Sequence, residues 1–186
     1  SVVSLEDKVS DKDKEIIFHL ASETFVPESW QYPEKFITKN ILSTLSVLEY
    51  CRKHKSSLVF LSAYIYGSQI SFPISEDAEI NSSNPYALSK HLSEELCKSY
   101  SELFDLNITI IRPFNTFGPR QSTRAIIPTI ITQILNNNGN IKLGNLLPTR
   151  DFTFVEDTAD SFIQALKSKK ISGETINIGN NFEISI

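Results

Sequence analysis

Three compact apolar runs, separated by stretches of helical periodicity, leave this chain few ways to fold. Residues 15–20 (EIIFHL), 57–62 (SLVFLS) and 107–112 (NITIIR) are bounded by polar residues. Runs of this kind suit strands buried on both faces, as in a parallel sheet. Between the first two, residues 33–54 set Phe36, Ile37, Ile41, Leu45 and Leu48 in a helical stripe. Between the second and third, Leu88, Leu92 and Leu96, with Leu103 and Phe104 further on, repeat at helical spacing. The order strand, helix, strand, helix, strand predicts an α/β fold: a doubly wound parallel sheet with right-handed crossovers.

In such sheets ligands lie beyond the carboxyl ends of the strands. Those ends are residues 19–22, 62–67 and 112–118, so Ser62 and the segment around Tyr86 fall on one rim. Residues 84–90 (NPYALSK) open the second helix, with Pro85 in the first turn, where its missing N–H costs nothing. Tyr86 and Lys90, four residues apart, then share a helical face. An ammonium beside a phenol favours the phenolate and pulls its pKa below the usual value of about 10, which makes Tyr86 a candidate general base. In a chain with six tyrosines the spacing alone is a weak signal; its place on the rim gives it weight. His19, at the end of the first strand, is expected to be a hydrogen-bonded structural histidine.

Beyond Gly118 the pattern changes. Residues 125–135 read as a helix with Pro128 near its start, 136–139 as a turn, 141–144 as a short extended piece and 149–155 as a further strand. A helix from near Glu156 to Lys167 and a strand over 175–178 follow. At the other end, Ser4 and Asp7 have the spacing of a capping box for a short helix reaching about Lys12.

With 40% hydrophobic and 22% charged residues, the 186-residue chain is expected to be soluble and globular, one buried domain or one domain and part of another. A net charge of −4 and a pI near 5.4 give no electrostatic footprint for nucleic acid or an anionic membrane, and a cytoplasmic location is expected. Cys51 and Cys97 sit inside helical patterns and are expected to be buried thiols. Cys51 and His54 have no second pair at zinc-site spacing, so no metal site is expected. The sequons at Asn81 and Asn107 come without a signal peptide or membrane span and read as chance. The absence of methionine, and a strand entering a turn just before the end, lead us to expect a fragment of a longer chain.

An ordered set of motifs runs through these elements: His19-Leu-Ala after a strand; Asn40, Thr44 and Leu48 in a helix; Ser62 through Tyr66-Gly67; and Asn84-Pro-Tyr86-x-x-x-Lys90. Arg112-Pro-Phe-Asn115-x-x-Gly-Pro119, Arg150-Asp-Phe and Asn177-Ile-Gly179 continue it. The set resembles the extended short-chain dehydrogenases/reductases, specifically the NAD-dependent epimerase/dehydratase group acting on nucleotide sugars. The resemblance implies a partial Rossmann-like NAD(P)-binding domain over residues 1–112. Segments of a small substrate-binding lobe, interleaved with the last Rossmann elements, would occupy 113–186. It gives Ser62, Tyr86 and Lys90 the catalytic positions. Leu20, Ala21 and Phe114 would touch NAD (or NADP), Asn40 would support that wall, and Lys90 would hold the nicotinamide ribose. Asn115 and Arg150 would hold the diphosphate of a nucleotide-sugar substrate, and Ile127, Ile141, Lys142 and Leu143 would line the pocket for its base. A homodimer through the helices of residues 33–54 and Tyr86 is expected on the same ground.

Two departures matter. The glycine-rich turn that opens this fold is absent and is expected upstream, so the sheet should present an unpaired edge. The group's 4,6-dehydratases carry acidic residues after the hydroxyl residue, where this chain has Ala63 and Tyr64. Elimination of water needs an acid for the departing hydroxyl, and Glu76 or Asp77 would serve only if their loop folded back. The reading therefore tilts towards an epimerase or 4-keto reductase, with a dehydratase or a catalytically inactive binding module of the same fold as alternatives.

Overall fold

The computed structural model describes residues 16–68, 72–136, 140–167 and 173–186. The capping box at residues 4–7 and most of the turn at 136–139 lie outside the described residues. In chain order the elements are β1 (Ile16–His19), α1 (Val26–Gln31), α2 (Pro33–His54), β2 (Ser57–Leu61), α3 (Pro85–Phe104), β3 (Ile108–Pro113), β4 (Asn115–Phe117), α4 (Ile126–Asn136), β5 (Thr149–Arg150), β6 (Phe152–Phe154), α5 (Val155–Lys167), β7 (Thr175–Ile178) and β8 (Ile184–Ser185). The chain divides into two compact units, Ser1–Arg112 with Ser168–Ile176, and Pro113–Lys167 with Asn177–Ile186.

The α/β architecture is a parallel sheet in the order β1-β2-β3-β7, the partial Rossmann-like arrangement expected. Ile17 pairs with Leu58 and Phe18 with Val59 across β1 and β2, and Leu58 pairs with Ile108 across β2 and β3. Ile110 N donates to Glu174 O at 3.0 Å, which brings in the last strand. Leu58, Phe60, Ile108 and Ile110 pack with Leu48 and Cys51 of α2 and Cys97 of α3 into one buried cluster. Both cysteines are buried thiols, as expected.

The outer strand departs from expectation. Ile16 and Phe18 of β1 are each 43% exposed, so β1 is not buried on both faces. It lies at the edge of the sheet and pairs only with β2 among the described residues.

The helical stripes are also displaced. On α2 the buried line is Phe36, Asn40, Thr44, Leu48 and Cys51, while Ile37, Ile41 and Leu45 are half-buried. On α3 the buried face is Ala87, Ser89, Lys90, Ser93, Glu94 and Cys97, whereas Leu88 and Leu92 are each 38% exposed and Leu103 is 74% exposed. Small and mutually hydrogen-bonded side chains let the helices and sheet approach closely. Leu88, Leu92 and Leu103 fall to the flank, while Leu96 stays packed against the core.

In the second unit, β4 pairs with β6 in parallel and β5 with β8 antiparallel. The single strand expected over 149–155 is therefore two strands in two sheets, parted at Asp151. The Asp151 carboxylate accepts from Asn180 N and Asn181 N at 3.0 and 2.9 Å, and its carbonyl accepts from Asn115 N at 3.0 Å. Val155 already begins α5, whose first turn carries Glu156 and Asp157 where the helix dipole favours acids. Residues 141–144 form no strand; Gln133 of α4 instead clamps Lys142, donating to its O and accepting from its N at 2.8 Å each. Helix α1 and strands β4 and β8 were not anticipated.

Candidate active site

Ser62 directly follows β2, held by its N–H to Ile111 O at 2.8 Å. It is 3% exposed, yet its Oγ has no hydrogen-bond partner among the described residues. The chain then turns. Tyr64 OH donates to Gly67 O, and Gly67 takes φ +67° beside Asn81, where an added Cβ would lie 2.6 Å from Asn81 O. Glycine alone meets both demands cheaply.

Helix α3 starts where the sequence says it should. The Asn84 side chain accepts from Ala87 N at 2.8 Å and Pro85 occupies the first turn, a capping arrangement that fixes where Tyr86 leaves the helix. Tyr86 packs against Ala63, Ile65 and Ala87, just beyond Ser62. Lys90, one turn on, is buried, with its ammonium 4.6 Å from the Phe60 ring centroid and no hydrogen-bond partner among the described residues.

The protonation states correct one expectation. Burial pushes the Tyr86 phenol up to about 12, where a depressed value was expected. Removal from water penalises the phenolate. Burial lowers Lys90 to about 8, opposed by the carboxylate of Glu94, so the ammonium is charged near pH 7. His19 is lowered to about 4 by burial and then by the charge of Lys90, and its Nε2 lies 3.1 Å from Thr44 Oγ1. It is a neutral structural histidine, as expected.

Leu20 and Ala21 are exposed at the carboxyl end of β1. The segment after them is pinned by Asn40: its Oδ1 accepts from Glu23 N at 2.8 Å, and its Nδ2 donates to Glu23 O and to Ser89 Oγ at 3.1 and 2.8 Å. The wall beside Leu20 is thus fastened to α3.

Phe114, Asn115, Ile127, Ile141, Lys142, Leu143 and Arg150 belong to the second unit. Phe114 N donates to Ile178 O at 2.9 Å. The Asn115 side chain has no partner among the described residues. Arg150 is exposed; its Nη1 donates to Thr149 O at 2.7 Å, and it pairs with no acid among the described residues. Ile127 and Leu143 are half-buried, Ile141 and Lys142 exposed.

The Glu76 and Asp77 side chains are exposed, although the loop backbone is drawn in by Arg112, whose Nη1 donates to Glu76 O at 3.0 Å. That anchor was missed. Arg112 also forks onto Glu94, an acid four residues beyond Lys90 on the buried face of α3; the spacing from Lys90 was the available signal. No group of three or more potential metal ligands occurs among the described residues, and no described helix is long and apolar enough to cross a membrane.

The model of the NAD dependent epimerase/dehydratase family matches residues 2–179. The chain is 34% identical over 188 residues to a putative UDP-glucose 4-epimerase of Methanocaldococcus jannaschii, covering 98% of this chain and 61% of the relative. It is 34% identical over 195 residues to a dTDP-D-glucose 4,6-dehydratase of Dictyostelium discoideum, covering 97% and 45%. Among solved structures, UDP-glucuronic acid 4-epimerase from Bacillus cereus in complex with UDP-glucuronic acid and NAD is similar, at a TM-score of 0.85 and 33% identity, over 92% of this chain and 56% of that one. The chain spans about half to three fifths of the length of these proteins.

Proposed function

The chain belongs to the NAD-dependent epimerase/dehydratase family, and on that premise we propose that the complete protein is an NAD(P)-dependent nucleotide-sugar epimerase or 4-keto reductase with Tyr86 as its base. One observation carries the reading: Ser62 buries a hydroxyl that bonds nothing among the described residues. Leaving such a group unsatisfied costs about 1–3 kcal/mol, so its natural partner is a ligand oxygen. Ser62 would hold a sugar hydroxyl while the Tyr86 phenolate takes its proton.

The nicotinamide cofactor, when bound, supplies the hydride acceptor or donor. Leu20 and Ala21, with Asn40 pinning the segment after them, and Phe114 are the residues proposed to touch it. Lys90 fits the ribose, because its buried ammonium has N–H donors to spare among the described residues. To act near pH 7, Tyr86 must fall from about 12 by roughly five pKa units, or about 7 kcal/mol. A positive charge about 6 Å away contributes roughly 3 kcal/mol at an effective dielectric of 20. The value of about 12 holds with Lys90 already in place, so the fall would come from what binds: the charge of the oxidised cofactor and hydrogen bonds at the substrate oxygen.

On the substrate side, the Arg150 guanidinium and the Asn115 amide are available for a diphosphate. Ile127, Ile141, Lys142 and Leu143 would flank the nucleotide base. The tilt away from a dehydratase rests on Ala63 and Tyr64: neither is an acid, and the Tyr64 hydroxyl is already spent on Gly67 O. The dehydratase name of one relative keeps elimination as the second reading. We further propose a homodimer, since Leu42 of α2 and Leu88 and Leu92 of α3 leave an apolar flank for a second copy.

The test uses the complete gene product with UDP-, dTDP- and GDP-hexoses. An isobaric product by mass spectrometry marks an epimerase, loss of water a dehydratase, and oxidation of reduced cofactor by a keto sugar a reductase. Tyr86→Phe is expected to lose at least about a hundredfold in turnover. Wild-type turnover in that variant would sink the assignment, and absence of both NAD binding and turnover would leave a binding module.

A further inference from the structure

The first unit contains a fully buried ion pair that the reaction itself does not use. Arg112 is 2% exposed and Glu94 is 0% exposed. The guanidinium donates from Nε to Glu94 Oε1 at 2.9 Å and from Nη2 to Oε2 at 2.6 Å. Its Nη1 donates to Tyr66 OH at 2.7 Å and to Glu76 O at 3.0 Å, and its centre lies 5.1 Å from the Tyr66 ring centroid. Stability is a poor reason to keep such a pair, because a well-packed apolar replacement is often as stable. What the pair offers is geometry. Arg112 stands where β3 leaves the sheet, Glu94 lies one turn beyond Lys90 on the same face of α3, and Tyr66 lies four residues beyond Ser62. One planar fork therefore fastens the segment that follows Ser62 to the helix that carries Tyr86 and Lys90.

We propose that Arg112 and Glu94 are positioning residues that set the spacing between Ser62 and the Tyr86–Lys90 turn, across which one sugar oxygen must be shared. The inference rests on the assignment of Tyr86 and Ser62 made above. Lysine at 112 would keep the charge but lose the fork, since an ammonium cannot present parallel N–H groups to a carboxylate and still reach Tyr66 and Glu76. A misplacement of about 1 Å in such a site can cost on the order of a hundredfold in rate.

The experiment is a double-mutant cycle in the complete gene product, with Arg112→Lys, Ser62→Ala and the pair, and Tyr86→Phe as reference. Arg112→Lys is expected to lower kcat about tenfold or more with KM for the nucleotide sugar within about twofold, and to cost less than about threefold in the Ser62→Ala background. Hydrogen exchange gives a second readout without turnover: amides of residues 63–68 and 72–81 and of the first turns of α3 lose protection together. If Arg112→Lys does not fold, Tyr66→Phe removes one bond of the fork, keeps the ring, and takes its place in the same cycle. A wild-type kcat, or losses that add independently of Ser62, overturns the positioning role while an inactive Tyr86→Phe leaves the enzymatic assignment standing. An active Tyr86→Phe overturns both.

Discussion

The two units are held together in different ways. In the first, polar side chains that fasten the site are buried and bond one another: Arg112 to Glu94 and Tyr66, Asn40 to Ser89, His19 to Thr44. In the second, side chains mostly secure main chain: Asp151 holds Asn180 and Asn181, Gln133 holds Lys142, and Gln121 donates to Thr116 O. The apolar core follows the same division. Of the described buried apolar side chains only Phe162 and Ile178 lie in the second unit, and α4 buries none. The difference teaches where precision resides: the groups proposed for proton transfer stand on a preorganised framework, and most of those proposed to grip the substrate stand on short elements with little buried apolar core.

The sharpest way to break this contrast is to remove one member of the buried pair. Glu94→Ala leaves a guanidinium uncompensated in the core and is expected to cost about 3–5 kcal/mol in urea unfolding. A loss below about 1 kcal/mol would erase the distinction. Next comes pH. His19 is lowered from 6.5 to about 4, so the unfolded chain binds the extra proton first. The contribution is complete above pH 6.5 and lost as pH falls through about 4, roughly 3 kcal/mol in all. Unfolding at pH 7 and pH 4, compared with His19→Gln, isolates that loss.

Third, Gly179 is a tight point in the second unit: a Cβ there would lie 2.5 Å from the Phe114 ring and 2.7 Å from Asp151 Oδ2. Gly179→Ala is expected to cost about 1–3 kcal/mol by crowding, read as a shift in the thermal midpoint. Smallest of all, exposed Arg150→Met should change stability by less than about 0.5 kcal/mol while weakening capture of a nucleotide diphosphate, measured by calorimetry in the complete gene product. A large stability loss there would mean that the second unit is built like the first.

What could be read from residues alone follows the range of the forces involved. The spans of α2 and β7, and the start of α3 at Asn84 and Pro85, were legible because caps, prolines and apolar runs act locally. The buried face of α3 was not. Periodic leucines suggested the core, but the helix turned Ala87, Lys90, Glu94 and Cys97 inward, since the cost of burying Glu94 is offset by an arginine 18 positions away. The strand at residues 149–155 was misjudged for a related reason: the break at Asp151 depends on amides near residue 180. Ser62 and Lys90 were singled out by pattern, but the lack of a partner for one among the described residues and the lowered pKa of the other are properties of burial.

Cys51 and Cys97 lie in the same core cluster, and burial pushes the Cys97 thiol far above its ordinary range. A thiol that is neither ionised nor reachable does not react with an electrophile, so alkylation must wait until the packing around α2 and α3 opens. The pair thus works as a built-in clock. The rate at which a small thiol reagent marks the two sulfurs in the native protein times the opening of the packing under the helix that carries Tyr86, with no ligand or denaturant added.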